Sequence, residues 1–298
     1  MALKKLVLVL TIYIMTFALV GCAGVNKEDV KNPTKVDNYL AAAVGGDDEN
    51  IEKTLIYPQD ASFTKDGITV TARQAVADKH TMYVLLSVTA TPDMEFNYND
   101  KFDMHTASIN GDGGSNGYEW TTTSKDNKSL FVVVGIDSEE GIDQGTANIA
   151  LWDFKKTGLE DSDDTPYGVK TYNGTWNVSF DFKVPDITER YTSDTVVETS
   201  GLDLAFNYID ISPFGIYVSC KLADSSINPG DDWEEETAEM DVIMKDGTKI
   251  GITRNLCSAD WGGAREEFNY YRSARLISAI DPTEVEYIVF NGQTVELK

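Results

Sequence analysis

From Leu55 onward, apolar and polar positions alternate with a period of two rather than 3.6, and that period predicts strands. In Thr175–Val184, Trp176, Val178, Phe180, Phe182 and Val184 share one face, while Thr175, Asn177, Ser179, Asp181 and Lys183 share the other. A strand of this kind is buried on one side and wet on the other, as in an antiparallel sandwich. The same reading predicts strands at Gly67–Ala75, Met82–Ala90, Leu130–Ile136, Ala147–Phe154, Leu204–Ile211, Gly215–Leu222, Met240–Met244, Thr248–Thr253 and Val285–Phe290. Trp152 and Phe154 share parity and are assigned, with Trp176, to the core. Asp66-Gly67, Asn110-Gly111, Asn173-Gly174, Asp246-Gly247 and Asn291-Gly292 supply the positive-φ pairs that tight turns prefer. Two of them predict hairpins: Val242–Met244 against Lys249–Ile252, and Val285–Phe290 against Thr294–Leu297. Many short strands between frequent turn signals indicate β-sandwiches. A polar stretch near 186–202, after Val184-Pro185, separates a first sandwich at 55–190 from a second at 191–298. The expected fold is therefore all-β, with no long helix after residue 55.

The N-terminal residues read as an address. Lys4 and Lys5 precede an apolar run from Leu6 to Val20, interrupted only by Thr11 and Thr16. The run is shorter than the ~20 residues that cross a bilayer and suits the core of a signal peptide. It ends at Leu19-Val20-Gly21-Cys22, which resembles the bacterial lipoprotein box. That resemblance implies lipidation of the Cys22 thiol and removal of residues 1–21, leaving the protein anchored on the extracytoplasmic face of the cell membrane. Two or more acyl chains hold stably where one is marginal. Residues 22–54 then comprise the lipidated Cys22 and a flexible tether, rich in Lys, Asn, Asp and Gly. Within it, Val36, Tyr39, Leu40 and Val44 have the spacing of one short amphipathic turn.

Charge narrows the partners. The 298 residues carry 25 Lys+Arg against 49 Asp+Glu, a formal net charge of -24. Such a surface repels a phosphate backbone, so nucleic acid is not an expected partner. With two His and three Cys, a His/Cys metal centre is not expected either, and no cofactor is implied.

Six segments carry a resemblance to known families, three in each predicted sandwich. Gly67–Asp78, Met82–Ala90 and Gly174–Phe180 look like a Firmicutes domain family of unknown function, common in the extracytoplasmic part of membrane-anchored anti-sigma-factor-like proteins. The resemblance implies an immunoglobulin-like sandwich. Ile211–Ile216, Lys245-Asp246-Gly247 and Pro282–Gly292 resemble the second immunoglobulin-like domain that often follows it. A lipid anchor stands where that architecture has a transmembrane helix, so direct sigma regulation is not implied.

Few residues suggest chemistry. No nucleophile elbow, P-loop or H-E-x-x-H occurs, and no catalytic residue is assigned. His80, in the turn Asp78–Thr81, and His105 are read as exposed polar residues. The acidic clusters at 47–49, 160–164 and 231–236 read as solvated loops, with calcium as the alternative occupant. Asp112–Gly117 resembles a calcium loop only faintly. Trp233 lies within an acidic run and Trp261 follows Asp260. Either forms a ligand platform, with the ring stacking on a sugar, or covers the end of a sandwich. Cys220 falls on an inward parity and Cys257 on the opposite one. They pair as a disulfide if a bulge near Asn255 restores the parity; otherwise they are two separate thiols. The expected function is non-enzymatic binding or sensing of an envelope protein or polymer, with a carbohydrate-binding or calcium-dependent module as the alternative.

Overall fold

In the computed structural model, residues 35–298 are described except 47–48, 92–93, 98, 112–118, 139–140, 160–167, 186, 200, 225–238 and 261–268. Nine strands make the first lobe: β1 (Leu55–Ile56), β2 (Ser62–Lys65), β3 (Ile68–Ala77), β4 (Thr81–Ala90), β5 (Lys101–Ile109), β6 (Glu119–Thr123), β7 (Leu130–Asp137), β8 (Gln144–Leu159) and β9 (Gly168–Lys183). Six form an antiparallel sheet in the order β1-β3-β4-β7-β6, with β2 also on β3; β5-β8-β9 form a second sheet. Their inner faces share one core. Trp176, Val178, Phe180 and Phe182 of β9 face Met82, Val84, Leu86 and Val88 of β4, as the alternation predicts. The Trp176 indole N–H, fully buried, donates to the Ile68 carbonyl at 3.1 Å, which satisfies the one polar atom that this large side chain brings inside.

The second lobe contains β10 (Glu189–Tyr191), β11 (Val196–Thr199), β12 (Leu202–Ile211), β13 (Gly215–Leu222), β14 (Met240–Met244), β15 (Lys249–Asp260), β16 (Asn269–Leu276), β17 (Val285–Phe290) and β18 (Gln293–Glu296). Both predicted hairpins form, β14 with β15 and β17 with β18. All nine strands belong to a single sheet, ordered β10-β12-β13-β16-β15-β14-β17-β18 with β11 also on β12. The start of β15 pairs with β14 and its remainder with β16, across a register shift between Ile252 and Arg254. The sheet turns back on itself: Phe206 of β12 meets Phe290 of β17 edge to face, with ring centroids 6.0 Å apart. Thr192 and Lys298, just beyond β10 and β18, exchange two backbone hydrogen bonds. The chain is thus all-β, but the second lobe wraps one continuous sheet around its core where two separate sheets were expected.

Two expectations are corrected. The flexible tether does not extend to residue 54. Helix α1 (Asn38–Val44) and a single turn, α2 (Glu49–Glu52), bury Leu40, Val44 and Ile51 completely. They pack on Val76, Tyr83, Leu85 and Val133 of the first lobe and Phe214 of the second. This explains the run of buried residues in β4: one parity faces the sandwich core and the other, Tyr83 and Leu85, lies beneath α1. Asp37 caps the helix by accepting the Tyr39 N–H. Gln74 grips the segment leading into it, accepting the Asp37 N–H and donating to the Lys35 carbonyl. Gly45 ends it at φ 87°, where an added Cβ would lie 3.1 Å from the Ile277 carbonyl oxygen, so both conformation and space call for glycine.

The second correction concerns Trp152. Asp153 adopts φ 50°, and the β8–β9 register shifts between Trp152 and Phe154. The Asp153 carboxylate accepts the Gly174 N–H at 2.8 Å, so Asn173-Gly174 lies in this bulge within β9 and not in a hairpin turn. The bulge breaks the alternation. Phe154 remains in the core, and Trp152 lies half-exposed on the outer face.

Candidate functional site

Among the described residues, a cluster of buried polar side chains connects the lobes. In the turn between β3 and β4, the Asp78 carboxylate accepts the N–H groups of His80 (2.8 Å) and Thr81 (2.6 Å), which fixes the turn and aims the His80 ring at the second lobe. Its Nε2 lies 2.7 Å from Asp210 Oδ2, its Nδ1 lies 3.3 Å from the Ser138 carbonyl, and the ring stacks on Tyr217 at 3.8 Å. Asp210 also takes a fork of two 2.6 Å hydrogen bonds from Arg190, whose guanidinium lies 3.9 Å from the Tyr208 ring centre. Beside this group, the Ser212 hydroxyl donates to Asp78 Oδ2 at 2.5 Å and accepts the Gly215 N–H at 2.9 Å. A Cβ on Gly215 would lie 3.2 Å from that carboxylate oxygen, so glycine permits the close approach.

The two carboxylates respond oppositely to burial. For Asp78, removal from water outweighs its hydrogen bonds and pushes the carboxyl above its ordinary range. Burial pushes Asp210 upward too, but the bonds and charges of Arg190 and His80 overcome it and hold the carboxyl below that range. The bond to Asp210 in turn raises Arg190.

Ser, His and Asp in one cluster invite comparison with a hydrolase, but their wiring differs. A nucleophilic serine gives its proton to the histidine; Ser212 gives its proton to Asp78, while both His80 nitrogens face other acceptors. The cavity among these residues measures roughly 20 Å³, suited to water and not to an organic substrate. Among the described residues, no group of three His, Cys, Asp or Glu is placed to hold a metal. The cluster joins two lobes.

No protein-family model matches the chain. A comparison with curated proteins finds no similar sequence. Among solved structures, the chain is similar to a conserved domain protein from Bacillus anthracis, with a TM-score of 0.50 and 14% identity over 81% of this chain and 78% of that one. At that identity the likeness concerns fold alone.

Cys22, Trp233 and Trp261 lie outside the described residues, as do residues 112–117, 160–164 and 231–236. The Cys220–Cys257 disulfide does not form. Cys220 is a buried free thiol, its ionisation pushed far up by burial. Strand β16 runs between the two cysteines: Cys220 pairs with Tyr270 and Cys257 with Arg272. Two strand spacings of about 4.8 Å separate the backbones by about 10 Å, beyond the reach of a disulfide. His80, expected to be exposed, is 5% exposed, while His105 is half-buried on β5. Sequence reasoning missed Asp210, Arg190 and Ser212. The one local signal was Asp78 two residues before His80, the spacing of an Asx turn.

Proposed function

We propose that this chain is a non-enzymatic, lipid-anchored envelope protein whose joined lobes form a rigid body for binding or sensing outside the cytoplasm. The observation that carries the reading is the wiring of the junction. His80, Asp210, Arg190, Asp78 and Ser212 satisfy one another across the two lobes, as a structural joint requires and a reaction centre does not. The Leu19–Cys22 box supports the anchor. Because α1 packs into the body, the span available between Cys22 and Lys35 is about 45 Å at full extension; a tether reaching residue 54 would allow about 110 Å. The body therefore works close to the membrane. Two sheets packed face to face in the first lobe suit the immunoglobulin-like reading, and the acidic charge keeps anionic polymers away.

The test combines metabolic labelling with a fatty acid and membrane fractionation. Cys22→Ala is expected to abolish the label and either release the protein or leave the precursor uncleaved. Normal processing with full membrane retention refutes the anchor. Steady turnover of a hydrolase substrate by the purified protein, lost in Ser212→Ala, refutes the non-enzymatic reading.

A further inference from the structure

The bulge at Asp153 places Trp152 on the outer face of the β5-β8-β9 sheet, and the residues around it share a character that sets this face apart. Met104 of β5, Trp152 and Thr175 of β9 form one row across the three strands. Met104 is 63% exposed, more than any other large apolar side chain among the described residues. The next outward row contains Asn177, and the one after it pairs Asn148 with Ser179. From the Trp152 row to the Asn148 row, every outward position is apolar, hydroxyl or amide, and none is charged. Charge begins at the margins, with the Asp103–Lys155 ion pair at one end and Asp181 at the other. A chain with 49 acidic residues thus keeps an exposed sheet face neutral.

The chemistry of the face selects its occupant. A half-exposed indole next to a thioether offers an apolar surface on which a sugar ring can stack. Hydroxyl and amide groups beyond it can exchange hydrogen bonds with sugar hydroxyls. Asn148 is already oriented: its carbonyl accepts the Ser179 hydroxyl at 3.0 Å, and its NH2 lies 3.4 Å from the Thr146 carbonyl. The three rows extend about 14 Å along the strands and about 10 Å across them, a flat platform for an extended chain. An anionic polymer meets repulsion from the acidic body, and a charged peptide finds no complementary charge on the face.

We propose that the outer face of the β5-β8-β9 sheet binds an uncharged, extended polysaccharide, with Trp152 as the stacking residue and Asn177, Asn148 and Ser179 as its polar ladder. The proposal rests on the reading of this chain as an envelope binding protein and names the ligand class.

The mature lipidated protein in detergent, titrated calorimetrically with hexasaccharides of β-1,4-linked glucose and of β-1,4-linked N-acetylglucosamine, tests it, with polygalacturonate as the anionic counterpart. At least one neutral hexasaccharide is expected to bind. Trp152→Ala should weaken that binding by about tenfold or more while leaving the melting temperature in place, and Asn177→Asp should weaken it as well. Polygalacturonate should not bind. The proposal is overturned if neither hexasaccharide binds, if binding survives Trp152→Ala, or if the polyanion binds equally well. Each of those outcomes leaves the anchoring reading intact, because release by Cys22→Ala is measured independently.

Discussion

In the first lobe two separate sheets lie face to face over Trp176, and the six-stranded sheet is covered again on its other side by α1. In the second lobe one sheet closes over its own core, and β10 and β12 turn polar side chains toward the neighbouring lobe. The first lobe therefore depends on apolar contacts between sheets, and the second is joined to it by buried polar pairs beside the apolar contact of Phe214 with Tyr83. The contrast suggests how the two regions should fail. Loss of an apolar anchor should collapse the first lobe from within. Loss of a junction charge should leave both cores packed and strand the opposite charges at their boundary.

The largest effect is expected at Trp176. Its side chain is fully buried, meets Phe102 edge to face at 5.5 Å and satisfies its own N–H. Trp176→Ala should cost about 3–5 kcal/mol, the range for a large buried aromatic. Residues 35–298 form one compact unit, so the unfolding midpoint of the whole body should shift, as followed by denaturant titration with probes in each lobe. If the second lobe keeps its wild-type midpoint while the first unfolds, the junction does not couple them.

A smaller loss is expected at Asp210. Asp210→Asn leaves Arg190 and His80 facing an uncharged partner at a buried site, and breaking such a pair costs about 3 kcal/mol, at the low end of the range because Arg190 stays partly in water. The pH dependence has a definite sign. A carboxyl held below its unfolded value contributes stability above about pH 4 and loses it as pH falls through its folded value. Wild type and Asp210→Asn should thus differ most at neutral pH and converge in acid. A constant difference from neutral to acid pH would mean that the carboxylate's charge is not what Asp210 contributes.

Most of the long strands and both hairpins were legible because a half-buried strand writes its burial into alternate residues, whereas β5, β6 and β16 were not read from the alternation. Met240–Met244 and Val285–Phe290 matched their expected limits. Trp152 was misread because one added residue at Asp153 reverses parity without leaving a mark in the composition. Helix α1 was legible as the short amphipathic turn of Val36, Tyr39, Leu40 and Val44, but its docking was not, because Tyr83, Leu85 and Phe214, which cover and stabilise it, lie far along the chain. The junction was illegible for another reason. His80 and Asp210 are 130 positions apart, Asp78 and Ser212 are 134 apart, and no local pattern connects residues so distant.

The smallest effect is expected at Asp78, which makes as many hydrogen bonds as Asp210 but has the opposite electrostatics. Its hydrogen bonds come from the His80 and Thr81 N–H groups and the Ser212 hydroxyl, and burial outweighs them. A carboxyl raised above its unfolded value contributes stability below about pH 4, and that contribution is lost as pH rises through the folded value. Asparagine resembles the protonated acid. Its carbonyl can still accept from His80 and Thr81, and its NH2 can donate to Ser212, whose hydroxyl then turns to the Gly215 carbonyl 3.3 Å away. Asp78→Asn should therefore change stability by less than about 1 kcal/mol at neutral pH. Its standing relative to wild type should decline as pH falls toward 4, because wild type then recovers the cost of the buried charge. Denaturant midpoints of both proteins across that range measure the trend. A neutral-pH loss as large as that of Asp210→Asn would mean that the charge of Asp78 holds the lobes together, and the contrast between the two carboxylates would disappear.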